Sequence, residues 1–481
     1  MNAEARPPRD EVVTDDSTAA IHAAAAKVKA AGPGSARLAR DPVNMPTIRN
    51  WTDAIGDANP VYTDAEFAAH SVHGGLVAPP AMVQVWTMPG LQSPSAGSDS
   101  DPLGQIMTVL DEAGFTSVVA TNCAQTYSRY LRHGERLSLR AELTDVSGPK
   151  KTALGDGWFV TTRNVWYSGT EPVAEMEWRV LRFVPRQAAK QPQVLARGDD
   201  PPEPPDSLPR LASGQVPVMR PAVSPDTEFF WAGTRRGELR IQRCGDCGAL
   251  RHPPGPACLS CGATHNQGYQ VAEGTGTVYS YVVHRHPPVP GKELPIVIAL
   301  VELTEGVRVM AEMAGVDPDA VEIGMPVRIS FIRIDDDLVL PGWRPDNRGE
   351  PGALPELAIT VTPTFVASTA IATRDFYPVH HDKDLAIERG SKDIFLNILT
   401  TTGLVQRYVT DWAGPDAIVR GVSIRLGVPC YAGDTLTFSG RVQPTLDPGD
   451  DKVIAVTGNC SLGDHVTGTV RLAPSTLRGT A

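Results

Sequence analysis

Arg374-Asp375-Phe376-Tyr377-Pro378-Val379-His380 has a near copy at the other end of the chain, Gly56-Asp57-Ala58-Asn59-Pro60-Val61-Tyr62. Both place an aspartate five residues ahead of a ring-bearing side chain, with a proline between them. The first copy offers a carboxylate and an imidazole, a pair suited to moving protons. The second ends in tyrosine and lacks that pair. One working site and one degenerate twin are expected. A second landmark agrees: YLRHGERLS at 130–138 lines up with PCYAGDTLT at 429–437, sharing a glycine, an acid, a leucine and a hydroxyl residue.

Working outward from His380, Ile394, Ile398, Val405, Val409 and Trp412 fall mainly at helical spacing and predict a buried helix over 394–412. Strand patterns follow over 422–426, 435–442, 452–457 and 465–472, the last alternating valine and threonine. Around the first copy, GGLVAPP at 74–80 precedes a polar stretch, Ser93 to Asp101, expected to be exposed and to rim an enlarged cavity. One helix followed by several strands in both halves argues for a duplicated α+β unit.

Between the halves the composition changes. Ten of the 43 prolines lie between Pro185 and Pro225, which predicts a stiff, extended linker. A second break comes at PDNRGEPG, 345–352. The expected layout is a disordered N-terminus over 1–19, a first unit over 20–184 and a linker over 185–222. A helical lead-in and metal ribbon over 223–268, a barrel over 269–345, a linker over 346–356 and the second unit over 357–478 complete it.

The ribbon rests on Cys244-Gly-Asp-Cys247 and Cys258-Leu-Ser-Cys261. Four thiolates in two such knuckles can surround one zinc ion tetrahedrally and leave no open position, so this zinc should be structural. Cys123, Cys430 and Cys460 are expected to pack as small apolar side chains. Beyond the ribbon, strand patterns over 274–283, 296–303, 307–311 and 327–333 with glycine turns suggest a small barrel.

Composition narrows the function classes. The 481 residues carry a formal net charge of −11, which gives no general attraction for nucleic acid or an anionic membrane. Residues 223–345 hold ten arginines and one lysine against fifteen acids, three of them at Asp335, Asp336 and Asp337, the wrong sign for single-strand binding. No run of about 18 apolar residues suggests a membrane span. The opening MNAEARPPRDEVVTDD lacks the apolar core of a secretory signal, so the cytoplasm is expected.

Asp375-Phe-Tyr-Pro378-Val379-His380 resembles the Asp-x-Asn-Pro-hydrophobic-His signature of the MaoC-like (R-specific) enoyl-CoA hydratases, with tyrosine at the asparagine position. Asp57-Ala-Asn59-Pro60-Val61-Tyr62 keeps the asparagine and loses the histidine. The helical lead-in 226–231, the ribbon and GTGTVYSY at 274–281 resemble the DUF35 family, an OB-fold with a rubredoxin-like zinc ribbon. Together these resemblances imply two hot-dog domains, one degenerate and one active, flanking a zinc-ribbon plus OB-fold β-barrel domain.

The resemblance also implies chemistry. Asp375 and His380 would share the water that adds to an α,β-unsaturated thioester. A backbone N–H where the long helix begins would hold the thioester oxygen. The family offset from each aspartate lands on Asn397 and on Pro79, and proline has no N–H. The whole resembles a fusion of a two-subunit bacterial hydratase acting on a steroid enoyl-CoA left by side-chain degradation. The implied partners are an acyl-CoA thioester, a thiolase-like aldolase docking on the ribbon and OB-fold, and a second copy of the chain. CoA enters only as part of the substrate. The competing readings are a non-catalytic acyl-CoA-binding scaffold that recruits the thiolase-like enzyme, and a hydratase for another bulky enoyl-CoA. His381, His70, His73, His284 and His286 are lesser candidates, expected at capping, lining or strand-end positions.

Overall fold

The computed structural model describes residues 15–91, 101–152, 155–184, 220–289, 292, 294–334, 338–346, 352–444, 447 and 449–474. The first unit contains α1 (Asp15–Ala30), β1 (Arg37–Leu38), α2 (Met45–Ile55), α3 (Ala65–His70) and α4 (Pro102–Glu112). Four long strands follow: β2 (Ser117–Tyr127), β3 (Leu137–Lys151), β4 (Asp156–Ser168) and β5 (Glu171–Phe183). The middle region holds α5 (Glu228–Thr234), β6 (Arg240–Cys244), β7 (Leu250–Arg251) and β8 (Gln267–Val271). Next come β9 (Thr275–His284), β10 (Ile296–Leu303), β11 (Arg308–Met313), β12 (Pro326–Arg333) and β13 (Val339–Pro345). The last unit runs β14 (Ala353–Val361), α6 (Pro363–Ala372), α7 (Lys383–Glu388) and α8 (Ile398–Ala413). It closes with β15 (Val419–Leu426), β16 (Asp434–Val442), β17 (Lys452–Cys460) and β18 (Gly463–Leu472).

The two outer units form one ten-stranded sheet, ordered β1-β3-β4-β5-β2-β15-β18-β17-β16-β14. Read outward from the centre, the two halves match strand for strand. The seam is β2 against β15, antiparallel, with Cys123 opposite Ile424 and Thr126 opposite Gly421. Pairing these edges removes two rows of unpaired backbone groups that would otherwise invite aggregation. Each half is the expected hot-dog unit. In the second, α8 lies almost wholly buried against β14 to β18. Gly403 on α8 lets Trp51 of α2 approach so closely that a Cβ would meet its ring at 2.7 Å.

The twin's counterpart of α8 is different. Only a 3₁₀ segment, Pro80–Thr87, occupies that place, and α4 instead packs with α1 on a separate core around Ile106, Leu110 and Trp158. Between β9 and β13 the chain closes a five-stranded barrel in which β11 and β13 run parallel. The ribbon is the three-stranded sheet β7-β6-β8. Arg344 of the barrel meets Asp464 at 2.9 Å and Arg328 meets Glu356 at 2.6 Å, tying the barrel to the last unit.

Three expectations need correction. Residues 15–19 are helical, because the alanine-rich α1 buries Ile21 and Ala25 against the α4 core. Residues 353–356, placed in a linker, begin β14, with Ala353 and Leu354 paired to β16. The long helix starts at Ile398 and not at 394, because Phe395 bridges to Tyr431 and Asn397 caps the first turn. The polar stretch 93–100, most of the proline-rich linker and the Asp335 to Asp337 run lie outside the described residues.

Candidate active site

Arg374, at a left-handed φ of 57°, turns the chain out of α6 and delivers Asp375. Pro378 then opens a 3₁₀ turn, Pro378–His380, on which the imidazole is 7% exposed. His380 Nδ1 lies 2.8 Å from the Phe395 carbonyl oxygen. A carbonyl can only accept, so Nδ1 carries a proton and Nε2 is the nitrogen left to exchange one. That Nε2 faces Asp375 Oδ2 at 3.6 Å, too far for a good hydrogen bond and suited to a bridging water. The Asp375 side chain is 20% exposed, so water can reach the pair.

Asn397 closes the third side. Its Oδ1 accepts the Thr400 N–H at 2.7 Å, and its Nδ2 donates to Thr373 at 2.9 Å, binding the helix start to the turn that carries Asp375. Leu396 N–H donates to Cys430, leaving the Asn397 N–H without an acceptor among the described residues. It lies two residues from the carbonyl that holds His380, at a helix N-terminus where donors are unsatisfied by geometry. His381 is exposed and turned to solvent.

The twin's groups converge too, but on a filled space. Asp57 is buried, and that burial pushes its carboxyl up to about 6. Its Oδ1 accepts the Asn59 N–H at 3.1 Å. Tyr62 is fully buried, with Gln406 Nε2 donating to its hydroxyl at 3.4 Å. The same Gln406 accepts the Ala81 N–H at 2.8 Å through Oε1. Pro79 and Pro80 have no N–H, and the first remaining donor at this helix start is therefore taken. Gln406 comes from α8, so a helix of the second unit reaches into the first unit at the place that corresponds to its own helix start.

Sequence reading missed Gln406. Its signal was a polar residue on the buried face of an amphipathic helix, 1% exposed between Leu399, Thr402 and Val409. Arg182 on β5 was also missed; it is buried, pairs with Asp111 of α4, and burial lowers its pKa. Among the lesser candidates, His70 Nδ1 donates to Glu66 O at 2.8 Å at the end of α3. His73 stacks on Tyr130 at 4.6 Å, and His284 contacts Pro287 O at 2.8 Å.

The ribbon cysteines fit a metal. All four sulfur atoms lie within 4.8 Å of one another, with Cys244–Cys261 at 3.7 Å and Cys247–Cys258 at 3.6 Å. A tetrahedron with Zn–S bonds of about 2.3 Å has edges of about 3.8 Å. The four thiolates would hold zinc as a closed structural centre, replacing the apolar core that so small a sheet cannot build.

Hot-dog units carrying this turn, beside a ribbon and barrel, define a hydratase or dehydratase of the MaoC-like kind. Residues 34–176 match the family model described as FAS1-like, dehydratase domain region. Residues 231–266 match ChsH2, rubredoxin-like zinc ribbon domain, and 269–331 match ChsH2, C-terminal OB-fold domain. The 3-oxo-4,17-pregnadiene-20-carboxyl-CoA hydratase alpha subunit of Mycobacterium tuberculosis is 52% identical over 327 residues, 68% of this chain and 98% of that one. The beta subunit of the same enzyme is 60% identical over 120 residues, 25% of this chain and 92% of that one. A solved Ltp2–ChsH2(DUF35) aldolase contains a chain 48% identical, covering 26% of this chain and 98% of its own, with a TM-score of 0.26. The chain belongs to the ChsH2-type family of MaoC-like enoyl-CoA hydratases.

Proposed function

We propose that this chain adds water across the double bond of an α,β-unsaturated acyl-CoA, using Asp375 and His380 as the acid–base pair. One observation carries the reading: the Phe395 carbonyl fixes His380 so that Nε2 lies 3.6 Å from Asp375 Oδ2, close enough for one water to touch both from the open side. As the water oxygen bonds to the β-carbon, this pair takes its proton and supplies one to the α-carbon. The negative charge moving onto the thioester oxygen meets the Asn397 N–H, a donor already oriented by the helix start. Proton transfer of this kind contributes about 10²- to 10⁴-fold in rate. A His380→Ala variant that stays folded, judged by circular dichroism, should lose hydration measured at the absorbance of the conjugated thioester. Undiminished turnover would leave only the scaffold reading.

The acyl group is proposed to be a steroid 17(20)-enoyl thioester, supported by likeness to both subunits of the pregnadiene-carboxyl-CoA hydratase. On this reading the chain is those two subunits joined. The first unit is a non-catalytic twin: Tyr62 replaces the imidazole, Pro79 replaces the N–H donor, and Gln406 fills the seat. The fused rings are proposed to lie along the seam between the two units, beside the twin's short 3₁₀ segment. A bound steroid CoA should show its rings between the two units; rings elsewhere would refute that placement.

The ribbon and barrel are proposed to dock a thiolase-like aldolase that cleaves the tertiary alcohol product. Their sequence likeness to the ChsH2(DUF35) chain and to a DUF35 domain-containing scaffold protein of Methanocaldococcus jannaschii, 38% identical over 96 residues, supports this. A homodimer in the cytoplasm is proposed; no helix among the described residues is long and apolar enough to cross a membrane.

A further inference from the structure

Cys430 and Cys460 take no part in the ribbon, yet they are not scattered core residues. Cys430, fully buried, lies in the loop before β16; Cys460 ends β17 beside a short hairpin turn and is 8% exposed. Their thiols and the Asp434 carboxylate lie within 4.8 Å of one another. Asp434 is already engaged: it accepts the Thr435 N–H at 2.9 Å and the Ser461 hydroxyl at 2.7 Å. That leaves it poorly placed to be a metal ligand, and what remains is a pair of facing thiols. The hydrogen bond with Cys460, then burial, hold the Cys430 thiol well above its usual range.

The pair sits behind the catalytic segment. Leu396 N–H donates to the Cys430 carbonyl at 3.0 Å, and Ala432 N–H donates to Ile394 O at 3.0 Å. This two-bond bridge holds residues 394–397. Phe395 orients His380 from within it, and Asn397 begins α8 at its end. Any movement of the Cys430 backbone therefore reaches the imidazole's holder and the oxyanion donor together.

We infer that Cys430 and Cys460 form a redox-sensitive dithiol that closes to a disulfide under hydroperoxide and disables the adjacent site. Cys460, the more exposed sulfur, attacks the peroxide as thiolate; its S–O bond forms, the O–O bond breaks, and hydroxide leaves. Cys430 sulfur then attacks the sulfenic sulfur, forming S–S and expelling the second oxygen. The two thiol protons end in two waters, and the two electrons lost by sulfur reduce one peroxide. A low-molecular-weight dithiol reverses the step by exchange. The sulfurs must close to about 2 Å, and cysteine has a single side-chain torsion with which to do so. Movement beyond that torsion falls on the backbone at 430 and 460. A misplacement of about 1 Å in an active site can cost on the order of a hundredfold in rate.

The loss of turnover rests on the hydratase reading; the cross-link does not. The full zinc-loaded chain would be treated with hydrogen peroxide, alkylated, and digested for mass spectrometry, with hydration assayed in parallel. The expected result is a Cys430–Cys460 cross-linked peptide and a fall in rate of at least about tenfold, restored by dithiothreitol. Cys460→Ser, or Cys460→Ala should serine fold poorly, keeps the untreated rate and resists peroxide. Absence of the cross-link, a cross-linked enzyme at full rate, or equal inactivation of the Cys460 variant would each overturn the inference. A chain inactive before treatment counts against the hydratase reading instead, and the cross-link still decides the dithiol.

Discussion

The two motif turns begin alike and end differently. At Gly56 and at Arg374 the chain makes the same left-handed bend, φ 72° and 57°, and each following aspartate N–H bonds back into the preceding helix. In the twin, α8 reaches over and fills the space. Arg407 comes so close to Gly56 that a Cβ there would meet its guanidinium at 2.7 Å, while Gln406 takes the Tyr62 hydroxyl and the Ala81 N–H. In the second unit no side chain of the first unit, among the described residues, bonds to Asp375 or His380, and the two lie 3.6 Å apart. On the proposed reading, silencing involved more than a lost histidine. On that reading, α8 of the second unit satisfies polar groups that the first unit no longer needs for chemistry, and those contacts hold the halves together.

The sharpest way to break this comparison is to mutate both motifs alike. His380→Ala should lower kcat by about 10²- to 10⁴-fold, whereas Tyr62→Phe should change it by no more than about twofold in the same assay. Comparable losses from both would mean two working sites. A smaller contrast concerns the ribbon. Cys247→Ser, or chelation, should release zinc and abolish capture of the aldolase in a pull-down, with hydration by the outer units kept within about twofold.

Gln406→Leu tests the filling directly. It strands a buried Ala81 N–H, which costs about 1–3 kcal/mol and should show as an earlier denaturant midpoint with an unchanged slope. An unaltered midpoint would remove Gln406 from the account of the twin. The smallest expected effect is in pH. Asp57 holds its proton up to about 6 in the folded chain, so the native state binds more protons than the unfolded chain between about 4 and 6. Its contribution to stability falls as pH rises through that window. His465 is fully buried and held to about 4 by desolvation, so stability rises as pH rises from about 4 toward 6.5. The two oppose each other at up to about 1.4 kcal/mol per pH unit each. Asp57→Asn should therefore reveal a stability that climbs with pH, measured by urea melts at pH 4.5 and 6.5.

How much of this was legible depended on sequence distance. Asp375 and His380 are five residues apart, and their proline already implied a turn that brings them together. The ribbon cysteines announce themselves by spacing alone. Asn397 came only from the family offset, since nothing local distinguishes one helix cap from another. Gln406 and Tyr62 are 344 positions apart, and no short-range pattern encodes their contact. The β2–β15 seam was equally hidden, because a buried edge strand reads like any other. Strand β13 was lost for a local reason: its Pro341, Gly342 and Pro345 imitate a loop, although the barrel tolerates them beside the parallel β11.

The central claim is that this chain has one working seat and one filled seat. Calorimetric titration with a saturated acyl-CoA, which binds without being hydrated, counts those seats directly. The account predicts one ligand bound per chain, unaffected by Tyr62→Phe. Two ligands per chain would contradict it.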